Sequence, residues 1–163
     1  MWLLRSSPLD LRALLWSKYW TGTIPLLVLA LIITVFTNVL LRATGFMMAV
    51  SVGTILLLTL AIGALALGFG ALYPQFETEN AAQIPTSFGG LVFMMTTVAL
   101  LAVVIVLEAG PVYAYLQATR NDQPLPLLAP QFLLPLAAVV LVCALATALP
   151  LRIGLRRMEE FEF

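Results

Sequence analysis

The chain has 163 residues, of which 62% are hydrophobic and 10% charged, with a formal net charge of zero at neutral pH. A soluble domain is about half apolar and a quarter charged, so a soluble fold of this size could not hide so much apolar surface. The charge balance excludes a basic surface able to neutralise several phosphates, and with it nucleic-acid binding. There is no histidine, which removes imidazole catalysis and His-ligated metal sites. The single cysteine, Cys143, sits in an apolar run and reads as a packing residue.

From the N-terminus, Pro8 and Asp10 suit a helix start. Leu11, Leu14, Leu15, Trp16, Tyr19 and Trp20 then recur at near-helical spacing, interrupted by Arg12 and Lys18. The three aromatic rings are of the kind that settle at headgroup level, so residues 8–20 are expected to form an interfacial helix feeding the first span. No short basic stretch with a cleavage pattern is evident, and the first span is expected to be kept as an anchor. That span covers residues 24–41, with Pro25 near its start, Asn38 near its end and Arg42 closing it. Asn38 is expected to hydrogen-bond across helices.

The second span covers residues 46–72. It is longer than the roughly 20 residues that cross the hydrocarbon, so it must tilt, kink or project. Its second half is rich in small residues: Ala64 with Gly68, and Ala66 with Gly70, are four apart and share faces suited to close helix approach.

A polar segment, residues 73–90, separates spans two and three. Pro74 ends the second span, and Glu77 and Glu79 place negative charge just outside the membrane. Asn80 suits the cap of a short helix over 81–84 that Pro85 stops, and Gly89 and Gly90 allow a tight turn into the third span. Such a surface helix could dock a soluble partner through Glu77, Glu79, Asn80 and Gln83; the alternative is a plain connecting loop. Catalysis by Glu77 and Glu79 is not expected, because they diverge on a helix and no nucleophile, base or metal ligand set accompanies them.

The third span covers residues 91–115. Within it Glu108 stands out, since a carboxylate in a membrane is costly and faces a cavity, a partner or water. The Gly110-Pro111 pair is expected to break the helix there, which puts Glu108 near the outer interface as a headgroup-level acid or as a path or outer-gate residue. A loop with Arg120, Asn121 and Asp122 leads to the fourth span, residues 132–151, with Pro135 near its start. The tail, 152–163, passes from Arg156-Arg157 to Glu159-Glu160, either as a short helix with charge pairs or as a solvated end.

The expected fold is all-α, a single polytopic transmembrane domain over 1–163 with four spans and the interfacial helix, because backbone groups in lipid must be satisfied within each segment or in a closed barrel. Arg5, Arg12, Lys18, Arg152, Arg156 and Arg157 fall on one side, and Arg42 and Arg120 on the other. The basic side faces the cytoplasm, which places both termini and the 73–90 segment there. No glycine-rich run is followed by Lys-Ser or Lys-Thr, and Lys18 is the only lysine. The chain therefore has no P-loop, and any ATP-driven work needs another chain. No metal or cofactor site is expected.

Two blocks carry a family resemblance. One is Arg5-Ser6-Ser7-Pro8 with Leu14-Leu15-Trp16-Ser17-Lys18-Tyr19-Trp20 and Pro25-Leu26-Leu27. The other is Gly68-Phe69-Gly70-Ala71-Leu72-Tyr73-Pro74-Gln75-Phe76, followed by Glu79-Asn80-Ala81-Ala82-Gln83-Ile84 and Phe88-Gly89-Gly90. Over about residues 5–115 the chain resembles bacterial ABC-exporter permeases. The resemblance implies a membrane subunit that pairs with a cytoplasmic ATPase, an N-terminal elbow-type helix, and a coupling or gating role for 73–90. Such permeases are longer and carry these motifs in their C-terminal part. The chain is thus expected to be a C-terminal fragment, a split half or a shortened reading frame, working with a second membrane chain or as a homo-oligomer.

The expected function is a permease component of an ABC-type exporter in the bacterial inner membrane, without enzymatic activity of its own. The rival is a non-transporting scaffold or assembly subunit of a membrane complex.

Overall fold

The computed structural model describes residues 11–73, 87–121 and 130–160. They form four helices: α1 (Leu11–Leu40), α2 (Gly45–Leu72), α3 (Phe88–Arg120) and α4 (Pro130–Glu160). Each is long and apolar enough to cross a bilayer. The all-α, four-span expectation is met. The helices have 28 to 33 residues, so each is at least about 42 Å long at 1.5 Å per residue, against about 30 Å of hydrocarbon. All four must tilt or project, not the second alone.

Three boundaries differ from the sequence reading. Residues 11–20 are not a separate interfacial helix: they are the first turns of α1, which continues unbroken past Pro25 to Leu40. Proline removes one hydrogen bond and crowds one carbonyl, and a long apolar helix in lipid absorbs that without ending. For the same reason α3 does not break at Gly110-Pro111 and runs on to Arg120. The tail is helical through Glu160 as the end of α4.

Between α1 and α2 the chain turns within four residues. Arg42 lies in the left-handed region at φ 51°, the Ala43 amide donates to the Asn38 carbonyl at 2.9 Å and the Arg42 amide to that of Val39 at 3.1 Å. This pattern is a Schellman cap, with arginine where glycine is usual. Asn38 donates its side-chain amide to the Thr34 carbonyl of its own helix at 3.0 Å, not across to another.

The core joins α2, α3 and α4 through Leu58, Ala61, Leu65, Leu100, Val104, Val139 and Cys143. Helices α2 and α4 run parallel: Phe46 meets Phe132 near one end, ring centroids 6.3 Å apart, and Gly68 meets Pro150 towards the other. Helices α2 and α3 are antiparallel, with Thr44 opposite Tyr115 and Tyr73 opposite Phe88. Helix α1 packs on α2 where Tyr19, 4% exposed, donates its hydroxyl to the Leu60 carbonyl at 3.0 Å. The remainder of α1 turns Leu26, Leu29, Ile33, Phe36 and Leu40 outward, as a lipid-facing surface should.

The α2–α4 seam is where the small residues act. Ala64 and Gly68 are buried, and a Cβ on Gly68 would lie 2.5 Å from Pro150 Cβ and 2.9 Å from its carbonyl oxygen. Ala66 and Gly70 share another helical face, which is exposed within this chain, and nothing lies within 4 Å of a Cβ on Gly70.

Candidate functional site

Hydroxyl groups inside an apolar helix usually bond back to their own backbone. Ser51, Thr59, Thr96 and Thr147 do so, each donating to the carbonyl four residues earlier at 2.7–2.8 Å. Thr54 does not. Its hydroxyl leaves α2 and donates to Glu108 Oε1 on α3. The two residues are partly buried, and each is 27 positions from Ala81 in the α2–α3 connection.

Depth decides what this pair means. Val104 is the middle residue of α3, so Glu108 lies about 6 Å from the helix midpoint. Thr54 lies about one turn from the middle of α2, towards the same end. The expected break at Gly110-Pro111 is absent: α3 continues for nine residues beyond Pro111. Pro111 is buried and has no N–H to give the Leu107 carbonyl, so backbone polarity is added one residue from the carboxylate.

About 10 Å beyond Glu108 along α3, a closed layer caps the site. Tyr115 donates its hydroxyl to Thr44 Oγ1 at 2.7 Å and stacks on Phe46 with centroids 4.6 Å apart, and Phe46 meets Phe132 edge to face. On the other side, Thr97 Oγ1 is buried with no hydrogen-bond partner. Thr97, Val104, Glu108 and Tyr115 follow one face of α3, at intervals of seven, four and seven residues. This face puts hydroxyls and one acid into the interior of an otherwise apolar bundle.

One interhelical hydrogen bond in a membrane protein contributes about 0.6 kcal/mol. Among the described residues no Lys or Arg pairs with Glu108, whose Oε1 accepts from Thr54. An acid among apolar helices is of the kind that faces a cavity, a partner or water. Among the described residues no group of three Cys, Asp or Glu side chains comes together to hold a metal ion.

Pro74, Glu77, Glu79, Asn80, Gln83 and Pro85 lie outside the described residues. Gly89 and Gly90 do not form a turn: they are in the first turn of α3, capped by Ser87, whose hydroxyl accepts from the Gly90 amide at 3.2 Å. Gly89 is needed for space, since a Cβ there would lie 2.7 Å from Tyr73 Cβ. Ser87 went unrecognised beside Asn80, although a serine three residues before an apolar run's first turn ends is an ordinary cap signal. Thr54 also went unrecognised. Its pairing with Glu108 follows from the register of the α2–α3 hairpin.

Four helices long and apolar enough to cross a bilayer define a multi-pass helical membrane protein. A family model described as "Putative ATP-binding cassette" matches residues 1–163, and the chain belongs to that family, which establishes a relationship to ABC transporters. No curated protein and no solved structure matches the chain. The family's description names an ATP-binding unit, whereas this chain has no glycine-rich run leading to Lys-Ser or Lys-Thr.

Proposed function

We propose that the chain is the membrane-embedded permease component of an ABC-type exporter in a bacterial inner membrane, with both termini in the cytoplasm. ATP is bound and hydrolysed by a separate cytoplasmic subunit. The observation that carries this reading is the conjunction of a whole-chain match to an ATP-binding cassette family with four membrane-crossing helices and no P-loop. A member of such a system that cannot hold ATP, and that is built for lipid, has the membrane side of the division of labour.

In this reading the partner's ATP cycle pushes on the segment between α2 and α3, where Glu77, Glu79, Asn80 and Gln83 are the contact residues. Motion passes into α2 and α3, which carry the two halves of the Thr54–Glu108 pair. The parallel α2–α4 seam, locked by Gly68 against Pro150, moves as a unit. Separation of α2 from α3 opens the polar face of α3, and the Tyr115–Thr44 layer is the gate at its outer end. A second membrane chain or a second copy completes the path.

Charge reversal tests the partner contact: Glu77→Lys with Glu79→Lys is expected to cut co-purification of the ATPase subunit at least fivefold while the chain still inserts. Unchanged co-purification removes the contact. A non-transporting scaffold is the second reading, favoured by the absence of charged residues from most of the spans. It predicts that alanines across 73–90 leave assembly and efflux intact.

A further inference from the structure

We propose that Glu108 and Thr54 form a binding site for hydrophobic monovalent cations, molecules whose positive charge is set in an apolar body. The proposal names a substrate class for the path described above and rests on that reading for its role in transport, but not for binding itself. Four observations converge on it. Glu108 lies four residues past the midpoint of α3, and among the described residues no cationic side chain pairs with it. One of its oxygens is fixed by Thr54, which leaves Oε2 to receive a ligand. The residues before and after it on the same helix face, Val104 and Pro111, are apolar and buried, with Leu107 beside them. Finally, Glu108 is only partly buried, so a molecule dissolved in the bilayer can reach it from the side, and the Tyr115–Phe46–Phe132 ring layer packs further along α3.

The selectivity follows from the surroundings. A small hydrated cation would have to shed its water for one carboxylate and one hydroxyl, too few ligands to replace its shell. A cation with a bulky apolar body arrives already dehydrated and gains an opposite charge where the dielectric is low. Anions are repelled, and neutral amphiphiles gain nothing from the acid.

The test uses tetraphenylphosphonium and the full chain in nanodiscs of phosphatidylcholine, whose zero net charge keeps the lipid from attracting the probe. Equilibrium dialysis is expected to show saturable binding, at least tenfold weaker in Glu108→Gln, with no saturable binding of tetraphenylborate. Equal saturable binding by the two proteins, or only non-saturable partition into wild-type discs, overturns the proposal. Should the variant fail to fold, a carbodiimide that modifies membrane-buried carboxyls serves on the unaltered chain. Its adduct at Glu108, quantified by mass spectrometry, is expected to form at least fivefold more slowly with saturating tetraphenylphosphonium. An unchanged rate overturns the site. No ATPase enters either assay, so loss of the permease reading and loss of this site are told apart.

Discussion

At the scale of single residues, the structure turns on a hydroxyl that leaves its own helix. Thr54→Val keeps the shape of the side chain and removes the donor to Glu108. It is expected to cost about 1 kcal/mol. The loss should shrink by at least half on a Glu108→Leu background, because the hydrogen bond is then absent from both partners. Cys143, a free thiol only 1% exposed, supplies the readout: a thiol-reactive dye labels it as the bundle opens, and no other cysteine competes. Equal destabilisation by Thr54→Val in both backgrounds would show that the pair carries no coupling. Arg42 offers an independent check. Its φ of 51° costs a non-glycine residue about 1 kcal/mol, so Arg42→Gly should raise stability in the same assay by about 0.5 kcal/mol after the entropy lost by glycine. A fall in stability would mean that the arginine side chain contributes more than its backbone costs.

Helices are the next scale, and here sequence and structure part in an instructive way. That four apolar segments become four helices is dictated by lipid, which leaves backbone groups no partner outside the segment, so composition alone was sufficient. Where the third helix ends was not legible, because Gly110-Pro111 read as a break under rules that hold in water. Inside a bilayer, unwinding exposes several amides to hydrocarbon, while proline forfeits one hydrogen bond, and the helix continues. Of the two small-residue pairs, only Ala64 and Gly68 meet another helix. Spacing showed that both pairs were stripes and had no means to say which stripe faces α4. The contrast is measurable. Gly68→Ala places a methyl 2.5 Å from Pro150 Cβ and is expected to cost about 2 kcal/mol. Gly70→Ala meets nothing within 4 Å and should be neutral or stabilising by up to about 1 kcal/mol. Similar effects from the two changes would contradict the parallel α2–α4 seam. The acid at 108 was visible in the sequence. Its partner was missed because the pairing is a property of the hairpin register, not of either span.

For the whole molecule, one arrangement ties fold to activity. Helices α2 and α4 form a parallel pair, α3 lies antiparallel against them, and α1 is attached to α2 and otherwise faces lipid. Side-chain hydrogen bonds link α2 and its cap to α3 from Thr54 to Glu108 and between Thr44 and Tyr115. Separating these helices requires breaking both, together with apolar packing that lipid can replace. The family match relates the chain to ABC transporters. The most direct measurement is affinity purification of the chain from native membranes in mild detergent, with mass spectrometry of what accompanies it. A P-loop ATPase in stoichiometric yield, with or without a second membrane chain, is the predicted result. A homo-oligomer without any ATPase would contradict the permease account and leave a scaffold in its place.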